Sequence, residues 1–325
     1  MNSVANSALV RSSCLIEVGE WLRSTGYSFT TPTPATHHRV NQRVNARHAA
    51  TQPQSLRDVF GWNRAFDLSI VPTDIAQAME AAGLLQHTAS GTARSLVRFS
   101  SLDSDLYAHS AFPTDGADAV FFGPDTYRFA ALIHAELERE ALRPGARILD
   151  VGCGAGPGGI VAMKAARQYT SSLTLGDINE AALQFSCANA ALAKIEATLA
   201  LGDLFEPVGG EFDFIVSNPP YLNDSAERTY RHGGGEWGAA LSQRIVREGL
   251  ERLAPGGRLV LYTGAAIVDG RDPFIESLRI ELNERGWPWR YREIDPDVFG
   301  EELELPAYAE VERIAAVALI VTRPA

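Results

Sequence analysis

Asn218-Pro219-Pro220-Tyr221 carries the most specific chemistry in this 325-residue chain. Two consecutive prolines fix φ and remove two N–H donors, so the loop presents carbonyl oxygens, with the Asn218 side-chain oxygen, as acceptors at one point. An acceptor pair of that kind binds an NH2 group. Amide and exocyclic base nitrogens are poor nucleophiles because their lone pair is delocalised. Accepting both hydrogens lets the nitrogen rehybridise and point its lone pair at an electrophile. Tyr221 is expected to stack on the planar system carrying that nitrogen. No strong general base is required, since the substituted nitrogen becomes acidic and loses its proton afterwards.

A second group of residues suits a nucleotide-type cofactor. Asp150-Val-Gly152-Cys-Gly154-Ala-Gly156-Pro-Gly158-Gly159 follows an apolar run and opens a helical pattern, where glycines let the backbone turn tightly and approach a ligand. The loop by itself is ambiguous, because Gly154, Gly156 and Gly159 also satisfy the dinucleotide fingerprint G-x-G-x-x-G. The register counts against that reading: Asp150 stands two residues before Gly152, and a carboxylate facing the loop suits a cationic ligand better than a pyrophosphate. Asp177 ends the next strand, where an acidic side chain can accept from both hydroxyls of a ribose. The competing role for Asp177 is a helix cap, which Asn179 could serve equally. Asp203, in Leu-Gly-Asp-Leu-Phe, follows the third strand.

These residues need a scaffold of alternating strands and helices. From about residue 120, strands are expected at 147–151, 172–177, 197–201, 212–216 and 258–262, with helices at 158–168, 180–193, 239–252 and 272–285. That order implies a doubly wound parallel sheet. Two further strands, 288–294 and 311–322, lack a helix between them and are expected to close the sheet as an antiparallel pair. The first hundred residues read as a separate, mainly helical unit. A helix ends near Gly26, a Thr-, Pro-, His- and Asn-rich linker with at most a short helix at 37–49 follows, and another short helix comes after Ser55. A helix capped by the Thr73 hydroxyl stops at Gly83, and 94–110 forms a hairpin. The pattern fits a winged-helix-like module or another small α+β recognition domain. The division expected is 1–115 for recognition and 116–325 for cofactor binding.

Composition narrows the classes. Hydrophobic residues make up 46% and charged residues 21%, which fits a globular chain that buries a core and excludes disorder of the whole. No apolar run reaches bilayer length, and Arg11 and Glu17 interrupt the start, so the chain reads as soluble and cytoplasmic, without a membrane partner. Three cysteines, Cys14, Cys153 and Cys187, provide neither a disulfide framework nor a metal-binding pair, and no metal is expected. Residues 1–105 hold 9 Arg against 8 acidic groups, and the remainder carries a balance of −12. That acidic larger part argues against a broad phosphate-binding surface. A local basic patch runs from Arg39 to Arg64, through Arg43, Arg47 and Arg57, with His37, His38 and His48 nearby. Its simplest reading is a solvated segment. The acidic stretch Asp295 to Glu304 likewise reads as a solvated loop, although its Phe299 and the nearby Tyr308 could close a pocket.

D-x-G-x-G-x-G and N-P-P-Y together resemble the class I S-adenosylmethionine-dependent methyltransferases, in particular the release-factor N5-glutamine methyltransferases. The likeness is best over residues 120–265. Phe122-Gly-Pro-Asp-Thr126 resembles that family's R-P-x-T-E segment, with Gly123 in place of its Arg and Tyr127 in place of its Glu, and Gly234-Gly-Glu-Trp-Gly238 resembles its G-G-x-x-G stretch. The resemblance implies a seven-stranded Rossmann-like α/β fold with a smaller helical N-terminal domain, and S-adenosyl-L-methionine as cofactor. It implies cofactor contacts from Asp150, Gly152, Cys153, Gly154, Gly156, Asp177, Ile178, Asp203, Leu204 and Asn218, and catalysis by Asn218, Pro219 and Tyr221. It also implies a protein partner, a release factor, whose glutamine nitrogen accepts the methyl. Alternatives are an exocyclic nitrogen of RNA or DNA, with nucleic acid as partner, and a small-molecule amine. A nicotinamide oxidoreductase or a non-catalytic scaffold would leave N-P-P-Y unexplained.

Overall fold

The structure, a computed structural model, describes residues 2–47, 55–166, 171–224, 228 and 230–325. The chain divides into two compact units. The first comprises residues up to Tyr127 with Gly154–Gly156 and Ala181–Glu196; the second comprises Arg128–Cys153, Pro157–Glu180 and Ala197–Ala325. The first unit thus runs past residue 115, the break read from the sequence, and takes in two short segments from later in the chain.

The first unit contains α1 (Asn2–Ser24), α2 (Pro34–Arg47), α3 (Leu56–Phe60), α4 (Thr73–Ala81), β1 (Leu85–His87), β2 (Ala93–Ser95), β3 (Val97–Leu102) and β4 (Asp105–Ser110). Leu15, Val18 and Leu22 recur at helical spacing along α1 and are all buried. The short helix expected at 37–49 is α2, which starts three residues earlier, inside the stretch read as linker. The Thr36 amide donates to the Thr33 hydroxyl, and Pro34 opens the helix, so the linker-like residues are N-terminal helix residues. One side of α2 is anchored by His37, whose ring stacks on Phe112 at 4.0 Å and whose Nε2 donates to the Trp62 carbonyl. The rest of the expected linker, 48–54, lies outside the described residues, as does His48. At α4 the expected hydroxyl cap is not made. The helix starts one residue earlier, with Pro72 at the cap and Thr73 inside it.

The hairpin expected at 94–110 is β3–β4, reversed at Asp103 with φ +52° and paired from Val97↔Ser110 to Leu102↔Asp105. Its residues are buried almost throughout, so it has none of the exposure of a nucleic-acid-binding wing. A second hairpin, β1–β2, was not visible in the sequence, because each strand is only three residues long. The free side of β4 is satisfied by a side chain. Asn189, in the helix Glu180–Leu192 and 1% exposed, accepts from the Ala108 amide and donates to the carbonyls of Ala108 and Ala155.

After α5 (Pro124–Arg139) come β5 (Arg147–Val151), α6 (Pro157–Ala165), β6 (Ser172–Asp177), α7 (Glu180–Leu192), β7 (Thr198–Leu201), β8 (Phe212–Ser217), α8 (Ala240–Leu250), β9 (Leu253–Ile267), α9 (Pro273–Arg285), β10 (Trp289–Asp295) and β11 (Arg313–Thr322). The strands form one seven-stranded sheet in the order β10-β11-β9-β8-β5-β6-β7. β9, β8, β5, β6 and β7 are parallel neighbours, and β11 is antiparallel to both β9 and β10, as the missing helix before it predicts. β8 and β11 read as near-continuous apolar runs because both faces of the sheet are covered. One face buries Leu149, Ile215, Leu261 and Val317 against α8 and α9. The alternate residues face α6 and the later part of α5, where Phe129 meets Tyr262 at 6.2 Å. Trp287 and Trp289 pack against the first face, as expected of sheet-edge tryptophans.

Candidate active site

β5, β6 and β8 end in register. Val151 pairs with Gly176 on one side and Ser217 on the other, and the Ser217 hydroxyl donates to the Val151 carbonyl at 2.7 Å. Chain reversals after adjacent parallel strands are where an open α/β sheet places ligands. The glycine loop and N-P-P-Y therefore leave the sheet side by side, one from β5 and the other from β8.

Gly152, Gly154 and Gly156 all have positive φ, at +66°, +53° and +81°. A Cβ at Gly152 would meet nothing within 4 Å, so the requirement there is conformational, and the space beside the backbone is open. Gly158 and Gly159 have the opposite reason. A Cβ at Gly158 would lie 2.5 Å from the Phe129 ring of α5, and one at Gly159 2.7 Å from Leu175, so α6 fits against α5 at the first and on the sheet at the second only because both lack side chains. Asp150 is 1% exposed and accepts from the Gly159 amide at 2.7 Å. Burial pushes its carboxyl up to about 7, against the pull of that N–H and with a contribution from Asp177. The carboxylate that the sequence placed facing a ligand thus ties the end of β5 to the first turn of α6 and fixes the loop between them. Cys153 is buried, and its amide donates to the Gly176 carbonyl.

Asp177 is half exposed at the end of β6, and its carboxylate accepts from the Asn179 amide at 2.9 Å. Ile178 beside it is 60% exposed, an uncommon state for a large apolar residue. Asp203 is engaged by Arg244 of α8, whose Nη1 lies 2.8 and 3.0 Å from its two carboxylate oxygens. Leu204 takes φ +47° and packs against the core below the loop.

Asn218 is half exposed, and among the described residues its side-chain amide makes no hydrogen bond. Pro219 is buried behind it. Tyr221 is 6% exposed, and its ring lies flat on Gly264 of β9, where a Cβ would come within 2.2 Å of Cδ2. Phe299, itself at φ +54°, meets the same ring edge-on at 5.8 Å. Gly264 is a site residue that sequence reasoning missed. A lone glycine inside the strand pattern Leu-Tyr-Thr-Gly-Ala was the available signal. The glycine-rich stretch beyond N-P-P-Y also has a structural cause: a Cβ at Gly233 would strike the Gly238 carbonyl at 1.9 Å and the Pro220 carbonyl at 2.7 Å.

The acidic stretch after Asp295 is solvated only in part: Asp297, Glu301 and Glu304 are exposed, but two of its acids are not. Glu302 is 6% exposed and pairs with Arg231, Asp295 pairs with Arg128, and Tyr308 accepts from the Asn223 amide at 2.6 Å. Arg231 also faces Asp224, whose carboxyl the hydrogen bonds from Arg228 hold down to about 2. Asp295 and Glu302 each pair with an arginine, and these two pairs with the Tyr308–Asn223 bond hold the stretch against the residues that follow Tyr221. His232 is half-buried there, with its Nδ1 enclosed and, among the described residues, without a partner. The Arg39–Arg64 patch, by contrast, does not hold together. His37 is buried and Arg64 pairs with Asp58, which leaves Arg39, Arg43 and Arg57 as its exposed arginines among the side chains described.

Residues 130–267 match the methyltransferase small domain family. The chain is 33% identical over 181 residues to the release factor glutamine methyltransferase of Deinococcus radiodurans, across 53% of this chain and 61% of that protein. It is 31% identical over 183 residues to the protein of the same name from Koribacter versatilis, across 52% and 60%. It is also 33% identical over 119 residues to ribosomal RNA small subunit methyltransferase C of Serratia proteamaculans, across 37% and 31%. The chain spans about three fifths of the two former relatives and under a third of the latter. Over residues 130–267, then, the chain is similar to the methyltransferase small domain family.

Proposed function

We propose that the protein is an S-adenosylmethionine-dependent N-methyltransferase acting on a planar amide or amino nitrogen, with a protein glutamine side chain as the favoured acceptor. The observation that carries this reading is the N-P-P-Y turn itself. It leaves β8 beside the glycine loop of β5, with the Asn218 amide uncommitted and the Tyr221 ring held on Gly264. The residues present fit the cofactor. The open space at Gly152 admits close backbone approach, Asp177 can accept from ribose hydroxyls, and exposed Ile178 offers an apolar surface to a flat ring. When bound, the cofactor supplies a sulfonium methyl. Asn218 and the adjoining backbone carbonyl then accept the two hydrogens of the acceptor nitrogen, and Tyr221 orients the plane that carries it. Asp150 positions the loop and is not a contact, since its carboxylate is turned into the protein.

The glutamine acceptor is favoured because the matches to release factor glutamine methyltransferases extend over half of this chain, whereas the ribosomal RNA relative matches over 37%. That shorter match is the observation behind the second reading, an exocyclic amine of ribosomal RNA. The test is transfer of labelled methyl from S-adenosylmethionine into fractionated lysate of the host cell, with protease or nuclease pretreatment. Label in a protease-sensitive band of release-factor size is expected. Label lost only to nuclease puts the RNA reading first, and label confined to small molecules sinks both.

A further inference from the structure

To orient an acceptor plane, the Tyr221 ring must be open to one, and here it is not. Tyr221 is 6% exposed, with Gly264 of β9 against its ring and the Phe299 ring 5.8 Å away at an angle of 73°. A flat group stacked on a tyrosine covers far more of the ring than that exposure offers. Phe299 belongs to the connection between β10 and β11 and has φ +54° and ψ +39°, a strained conformation for a bulky side chain.

The ends of this connection are fixed. Asp295 pairs with Arg128, the Val298 amide donates to the Ile314 carbonyl at 2.8 Å, and the Glu312 amide donates to the Ile267 carbonyl at 2.8 Å. Between them lie two short 3-10 turns, Gly300–Glu304 and Pro306–Tyr308. Among the described residues, the backbone hydrogen bonds of this strap run within it, from the amides of Glu302, Leu305 and Tyr308 to the carbonyls of Phe299, Glu302 and Leu305. Apolar burial adds little, since Leu303 is half-exposed and Leu305 is 41% exposed. The buried residues between Phe299 and Glu310 are Glu302 and Tyr308, and each is tied to the chain just beyond Tyr221. Glu302 pairs with Arg231, and the Tyr308 hydroxyl accepts from the Asn223 amide at 2.6 Å. Arg231 has a second acid in reach, with its Nε 3.6 Å from Asp224 Oδ1, so release of Glu302 does not strand the cation. A segment held by two polar ties and few apolar contacts stands at the low end of local stability.

We propose that residues 299–309 are a gate over Tyr221. In the closed state described here, Phe299 covers the ring. On opening, the Glu302–Arg231 and Tyr308–Asn223 ties break, Arg231 turns to Asp224, and Phe299 leaves its strained backbone conformation. The ring then takes the planar group that carries the acceptor nitrogen. What enters rests on the N-methyltransferase reading above, whereas the movement rests on the contacts of the strap alone.

The test is nitration of the full chain with tetranitromethane, read tyrosine by tyrosine by peptide mass spectrometry, with Tyr262, 0% exposed on β9, as internal reference. Tyr221 should react slowly in the parent, about tenfold faster in Glu302→Gln and about threefold faster in Tyr308→Phe, while Tyr262 stays unreactive. Either variant serves if the other does not fold. A Tyr221 as reactive in the parent as in the chain unfolded by urea overturns the gate, as does no change in the variants or a rise shared by Tyr262. Entry is read from the initial rate of labelled methyl transfer from S-adenosylmethionine into dilute host-cell lysate, where the rate follows the open fraction. That rate should rise in Glu302→Gln by the factor seen in nitration. A rate unchanged or lowered while nitration rises overturns the gating of the acceptor. No transfer by the parent, with Tyr221 nitration responding as expected, sinks the methyltransferase reading and supports the gate over the ring.

Discussion

Asp150 stands at the end of β5 with its carboxylate against the Gly159 amide, and the sign of its pH dependence follows from burial. An Asp in an unfolded chain titrates near about 3.9, and in the fold this one is pushed up to about 7. The folded state therefore favours the acid form. The stability this group contributes is complete below its unfolded value and is lost as pH rises through 7. Asp150→Asn keeps an oxygen to accept from Gly159 and removes the titration. Measured by Tm from pH 5 to 8, the parent minus the variant should fall with rising pH, with the variant at least as stable at pH 8. A difference independent of pH would contradict a buried, uncompensated carboxylate. Asn218 is tested through rate instead. Asn218→Ala should lower kcat by about 10²–10³-fold, while S-adenosylhomocysteine still raises Tm as in the parent, since its amide bears on the acceptor and not on the fold. A variant that turns over normally would remove the acceptor-pair chemistry altogether.

At the scale of elements, β9 does more than extend the sheet. Its Gly264 is the seat of the Tyr221 ring, with Phe299 closing the edge. Gly264→Ala must displace the ring or the strand. A loss of about 1–3 kcal/mol of stability is expected, together with a fall in kcat of about 10- to 100-fold and little change in cofactor binding, measured by calorimetric titration and single-turnover rates. An unchanged kcat would mean that the ring does not orient the acceptor. This also shows where the sequence was legible. The strands β5, β6, β8 and β11 and the positions of the glycine loop and N-P-P-Y could be read because apolar runs and glycine or proline punctuation are local signals. Gly264 was not legible, because its reason is a ring more than forty residues earlier in the chain. The helix α2 was read as at most a short helix starting at 37, because Thr33 and Pro34 resemble linker residues until His37 is seen to anchor it. That Asp295 and Glu302 are held inward was not legible because Arg128 and Arg231, which pair with them, are remote in sequence.

At the scale of the whole molecule, charge discriminates between the two acceptor classes. The chain carries a formal charge of −11, with −12 of it beyond residue 105. Of the arginines that could form a basic patch in the first unit, His37 and Arg64 having turned inward, Arg39, Arg43 and Arg57 are exposed among the side chains described. Three phosphate contacts to single-stranded RNA give a log-log salt slope of about −2. Fluorescence anisotropy with a single-stranded RNA between about 50 and 200 mM salt should therefore find weak binding with a slope no steeper than that. A slope near about −5 would require a basic surface that the described side chains do not form. In that event the acceptor would be sought on RNA, and N-P-P-Y would be presenting an exocyclic amine to the same methyl, since the turn recognises an NH2 on a plane and is indifferent to whether a peptide or a base carries it.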